Sequence, residues 1–149
     1  MIFLEQFHSK GIDENKLKKF KDKFNENSKH RNHVLETILL LNEKFIDTEK
    51  SKILANLFSA HIEENLTWED FFKISFILSN LNPAAYLFLE KHVDKDSKIR
   101  TKMYESIEGE ALLMACGIGT MFEQQFKPTR TAIKLYEYGL KPLKNKRSV

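Results

Sequence analysis

Cysteine is nearly missing from this chain: Cys116 is the single example in 149 residues. A lone thiol excludes an intrachain disulfide and a cysteine-rich zinc site, and it points to a reducing, cytoplasmic setting. Glycine and proline are sparse too, at five and three. A β-sandwich or barrel needs more turn-forming residues than that, so helices are expected. No apolar run approaches the roughly 18 residues of a membrane-crossing helix. The opening Met1-Ile2-Phe3-Leu4-Glu5 meets an acid too early for the apolar stretch of a secretion signal. The expectation is a soluble chain. Charge of one sign is not in large excess: 24 Lys and Arg face 21 Asp and Glu, for a net +3. A dedicated nucleic-acid binder shows a sharper, more clustered surplus.

What is present suits a folded protein. Hydrophobic residues make up 42% and charged residues 30%, a balance that excludes extended disorder. The length fits one domain, or one domain with a small satellite. Helix punctuation is legible along the first two thirds. Asp13 is an N-cap, with Ile12 and Leu17 as a hydrophobic staple, and Leu17, Phe20 and Phe24 recur at helical spacing up to a break at Asn25–Asn27. A second helix runs from about Lys29 to Phe45. Its broad apolar stripe (Val34, Leu35, Ile38, Leu39, Leu41, Phe45) predicts a central place in the core. Asp47 caps a third helix to about Glu64, whose inward face is Ile53, Leu54, Leu57, Phe58, His61 and Ile62.

Thr67-Trp68-Glu69-Asp70 then approaches a capping box, with Leu66 and Phe71 as its staple, and the helix it opens ends near Asn80. Asn82 caps the next helix, Pro83 takes its first position, and Leu81 staples to Tyr86. That helix ends around His92. Asp94 to Thr101 reads as a polar loop, and a domain boundary, if there is one, falls at Asp94–Ser97. Beyond it come a helix over Ser106–Cys116, an interruption at Gly117 and Gly119, and an extended stretch over Thr120–Lys127 closed by Pro128. A last helix is capped by Thr129, with Gly139 as its C′ residue, and a short basic tail follows. The fold class expected is mainly α: about five helices over 1–93, then a small winged-helix-like α+β segment over 94–149, the two able to pack as one domain.

No group of residues assembles a nucleophile, a base and an oxyanion donor, so no catalytic, cofactor or metal site is assigned. His30 and His33 share a helix face, which suits a metal, but Lys29 and Arg31 beside them repel a cation. His61, on an apolar face, reads as a satisfied core histidine. His92, Asp94 and Asp96 offer metal-type ligands without the glycine and terminal glutamate of a calcium loop. Gly117-Ile118-Gly119 is a fragment of a glycine-rich loop and reads as a turn. Cys116 follows Leu112-Leu113-Met114-Ala115, a core setting where a thiol is inert. Glu63-Glu64 and Glu69-Asp70 suit helix ends. The twelve Phe residues fit either a Phe-rich core or a partner-facing surface.

Two resemblances bear on function. The run Asp47-Thr48-Glu49-Lys50-Ser51-Lys52-Ile53-Leu54-Ala55-Asn56-Leu57-Phe58-Ser59-Ala60-His61-Ile62, followed by Leu66-Thr67-Trp68-Glu69-Asp70-Phe71, resembles a family of uncharacterised bacterial and prophage-type helical proteins. The likeness covers roughly Gly11 to His92. Full-length relatives in that family often carry a hydrophobic segment ahead of this region. The stretch from Ala111 to Leu140, with Leu112 to Gly117 and then Thr129-x-x-Ala132-x-x-Leu135-x-x-Tyr138-Gly139, is similar to the end of a winged-helix domain. That likeness implies a β-hairpin wing and a closing helix. Yet Glu105, Glu108 and Glu110 occupy the segment that would read DNA, where Arg or Lys is needed.

The leading functional reading is a non-enzymatic protein-interaction module of a bacterial or mobile-element protein, self-associating, with no cofactor. The alternative is a winged-helix-type DNA-binding regulator using Lys127, Arg130, Lys144, Lys146 and Arg147. A third reading, carried by the family likeness, is an accessory domain of a membrane-associated defence or immunity protein.

Overall fold

The structure, a computed structural model, describes residues 2–45, 48–92, 107–122 and 125–147. It is mainly helical with one small antiparallel sheet. In chain order the elements are α1 (Ile2–His8), α2 (Glu14–Glu26), α3 (Ser28–Lys44), α4 (Thr48–Ile62), α5 (Trp68–Asn80), α6 (Pro83–His92) and α7 (Ile107–Ala115). The strands β1 (Gly119–Phe122) and β2 (Gln125–Pro128) come next, then α8 (Arg130–Lys134), a π-helical turn (Leu135–Leu140) and α9 (Lys141–Arg147). The chain divides into two compact units, residues 1–79 and 80–149, so α6 groups with the C-terminal elements. The expected boundary at 94–97 lies outside the described residues, as does Asp47.

In the first unit α4 is the central helix. Ile53, Leu54, Ala55 and Leu57 are wholly buried, and Asn56 and Ser59 are buried beside them. Small residues on α4 let α1 approach closely, and Gln6 Nε2 donates to Asn56 Oδ1 (2.8 Å) inside that contact. Ser59 Oγ is satisfied by the Ala55 carbonyl (2.8 Å). A file of rings runs through the unit: Phe3 and Phe7 meet Phe58, and Phe58 meets Phe20 and Phe71. Trp68 then meets Phe71 and Phe72, and Phe72 lies against Phe76. Much of the aromatic content is therefore spent on ring-to-ring packing.

The central place expected of α3 is corrected. Only Val34, Thr37 and Leu41 are buried on it. The local reason is geometric: Leu39, Leu40 and Leu41 are consecutive, so at 100° per residue they span about 200° of the helix and cannot all face one core.

The caps follow the sequence closely. Asp13 accepts from the Lys16 N–H (3.0 Å), Thr67 Oγ1 from Asp70 (3.1 Å), Asn82 Oδ1 from Ala84 (2.9 Å) and Thr129 Oγ1 from Ala132 (3.3 Å). Each satisfies a backbone donor that a helix start leaves unpaired. Asn27 also caps α3 through the His30 N–H (2.9 Å).

In the second unit α7 ends in a Schellman motif. The Gly117 N–H donates to Met114 O (2.9 Å) and the Ile118 N–H to Leu113 O (3.0 Å). Gly117 is the left-handed residue, at φ 70°. Ile118 and Leu113 are both fully buried, the apolar pair this motif brings together. The hairpin pairs Gly119 with Pro128 and Thr120 with Lys127. Pro128 has no N–H, and the Thr129 N–H carries the pairing on to Ile118 O (2.9 Å).

Gly139 is not a C′ residue. It is buried inside a π-helical turn, and the chain continues as α9 where a loose basic tail was expected. The Lys141 N–H reaches back to Tyr136 O. A proline ring clashes with the carbonyl four residues earlier, and the wider π-turn gives room for Pro142 without ending the helix.

Candidate functional site

α2 buries no residue completely. One of its faces carries Lys16, Lys19, Phe20 and Lys23, three or four residues apart and so side by side. They meet the end of α4. There the Glu64 N–H donates to His61 O (3.0 Å) and the Asn65 N–H to Ala60 O (2.9 Å), closing the helix in a second Schellman motif. Its left-handed residue is Glu64, at φ 63°, a conformation that costs a residue other than glycine roughly 1–2 kcal/mol. Lys16 Nζ donates to Glu63 O (2.7 Å), and Lys19 pairs with the Glu64 carboxylate. Both complement the negative end of α4. The hydrogen bond from Lys19, backed by its charge and those of Lys16 and Lys23, holds the Glu64 carboxyl below its ordinary range. A cleft of about 300 Å³ lies here, bounded by these residues with His30, His61 and Ile62.

His61 Nδ1 lies 3.0 Å from Leu66 O. A carbonyl only accepts, so Nδ1 carries the proton and Nε2 has the lone pair when the ring is neutral. Burial pushes the His61 pKa down, against the opposing carbonyl bond, and the charges of His30 and Lys23 push it further down. His30, His33 and His61 all approach Trp68 edge-on, with ring centroids 5.6, 5.5 and 5.5 Å from it. His33 also stacks on Phe72 at 5.5 Å. The two α3 imidazoles thus share a face, which is turned to an indole. Among the described residues no group of three His, Cys, Asp or Glu is placed to hold a metal ion.

A second feature is the outward side of α3. Leu35, Leu39 and Leu40 are 46%, 57% and 54% exposed. Lys44 Nζ lies 5.8 Å from the centre of the Phe76 ring, itself partly exposed. Sequence reasoning assigned Leu35 and Leu39 to the core; the triple leucine at 39–41 was the signal that some of them face outward.

The basic positions expected to contact nucleic acid are dispersed in role. Lys127 on β2 and Arg130 at the start of α8 are exposed. Lys144 Nζ donates to Glu90 O (3.3 Å). Lys146 and Arg147 belong to α9, and their side chains fall outside the described residues. α7, ahead of the hairpin, carries Glu108 and Glu110 in its first turn. Gly117-Ile118-Gly119 forms the end of α7 and the start of β1, a turn and not a phosphate loop. Cys116 is half-buried. Glu69 and Asp70 sit in the first turn of α5. Asp94, Asp96, Glu105 and the His92 side chain lie outside the described residues. Among those described, no helix is long and apolar enough to cross a membrane.

No family model, curated protein or solved structure matches this chain.

Proposed function

We propose that the protein is a non-enzymatic interaction module that docks protein surfaces through α3, with a second copy of itself as one partner. The observation that carries this reading is the exposure of Leu35, Leu39 and Leu40 on a single helix, since apolar side chains gathered at a surface mark contact sites. Charge favours self-pairing. Lys29 and Arg31 lie in the first half of α3 and Glu36 and Glu43 in the second, so two antiparallel copies set Lys29 of one against Glu43 of the other. Lys44 is turned to the Phe76 ring and leaves that pattern undisturbed. Size-exclusion chromatography with light scattering tests the reading. Mass should rise with concentration; a clean monomer at high micromolar concentration overturns it.

A second reading, a winged-helix-type DNA-binding regulator, is supported by the antiparallel hairpin between α7 and the Thr129-capped α8, with Lys127 exposed on β2 and Arg130 exposed at the start of α8. It predicts that fluorescence anisotropy of a labelled random duplex rises with protein at low salt and still rises at physiological salt. Binding confined to low salt would remove this reading.

A further inference from the structure

We propose that the cleft between α2 and the end of α4 binds a small phosphoryl anion carried on an aromatic group, an aryl phosphate in chemical class. Its rim sets three ammonium groups, Lys16, Lys19 and Lys23, against a single carboxylate, Glu64. Its wall is apolar, with Phe20 and Ile62. About 300 Å³ is at the small end of the range for ligand sites, enough for one ring and one phosphate.

Three observations go beyond a solvated lysine face. Lys16, Lys19 and Lys23 share their helix face with Phe20, which packs edge-on against Phe58 and His61 at 5.7 and 6.0 Å. These lysines therefore flank a packed ring, Lys16 half-buried and Lys19 and Lys23 exposed at its edge. Lys16 and Lys19 have partners at the end of α4, whereas Lys23 has no ion-pair partner among the described residues. Glu64 holds its carboxylate on Lys19 from a left-handed backbone that glutamate adopts at a cost. It acts as an internal stand-in for an external anion: a phosphate entering between Lys19 and Lys23 displaces that carboxylate and takes two cations at once. A positive field already reaches His61 from Lys23 and His30. An anion placed there offsets that field.

The test is isothermal titration of the full chain, at fixed ionic strength, with phenyl phosphate, inorganic phosphate and the neutral phenyl glucoside. Phenyl phosphate should bind saturably, inorganic phosphate more weakly, and phenyl glucoside not at all. Lys23→Gln should weaken phenyl phosphate about fivefold, the worth of one charge at about 4 Å in water. Glu64→Gly, which removes both the competing carboxylate and the strain, should tighten it. Lys21→Gln, outside the cleft, should leave it unchanged. Circular dichroism checks that each variant keeps its helices. Absence of saturable binding, or equal loss in Lys23→Gln and Lys21→Gln, overturns the site. Equal affinity for inorganic and phenyl phosphate overturns the aryl assignment. Neither result bears on the docking role of α3.

Discussion

Burial, with His30 and Lys23 nearby, holds the His61 imidazole neutral in conditions where an exposed histidine begins to charge. Its pKa in the folded chain lies below the unfolded value of about 6.5. Between those two values the unfolded chain binds more protons, so stability rises with pH there. The His61 contribution is complete above about pH 6.5 and is lost as pH falls through the folded value. Urea unfolding at about pH 7.5 and about pH 5 should show a lower midpoint in acid. His61→Gln should lower the midpoint at the higher pH and flatten the difference; an equal pH dependence in that variant would contradict the assignment. Residue-level features acting within four positions were legible in the sequence. Asp13, Thr67, Asn82 and Thr129 all cap as their spacing implied, because a cap is decided by its own turn. The Lys23–His61 cleft was not legible, since α2 and α4 meet only through tertiary packing.

Elements were read best where a cap opened them. α1 follows no Ser, Thr, Asp or Asn in the sequence and was missed; its burial of Phe3 and Gln6 against α4 is a long-range effect. Gly139 was read as a helix end because glycine favours the left-handed C′ position. In the fold Pro142 and the buried π-turn decide its role. Gly109, in contrast, has a clear packing duty. A methyl group added there would run into the Phe88 ring and its Cβ, and Phe88 is buried. The root of a side chain cannot swing away as its tip can. Gly109→Ala should therefore destabilise the second unit by about 1–3 kcal/mol, read as a lower urea midpoint with α7 signals affected. An unchanged midpoint would show that α6 and α7 can separate freely.

At the scale of the whole molecule, the mainly helical composition was legible from scarce glycine and proline, whereas the pattern over Thr120–Lys127 gave one extended stretch and not the two paired strands of the structure. The position of α3 was not, because an apolar stripe does not say which part of it meets a core. The surplus of phenylalanine resolves mostly into the ring file from Phe3 to Phe76, while Leu35, Leu39 and Leu40 stand exposed on α3. That shift, from exposed rings to exposed α3 leucines, carries the docking account. Leu39, the most exposed of the three, is the position where a charge harms self-association most and folding least. Light scattering on the eluting peak, for the natural chain and Leu39→Lys across rising concentration, measures it directly. The account predicts a natural-chain mass climbing from 17.5 kDa toward twice that value, and a variant that stays monomeric with unchanged helix content. A natural chain that remains monomeric, or a variant that associates equally well, would contradict it.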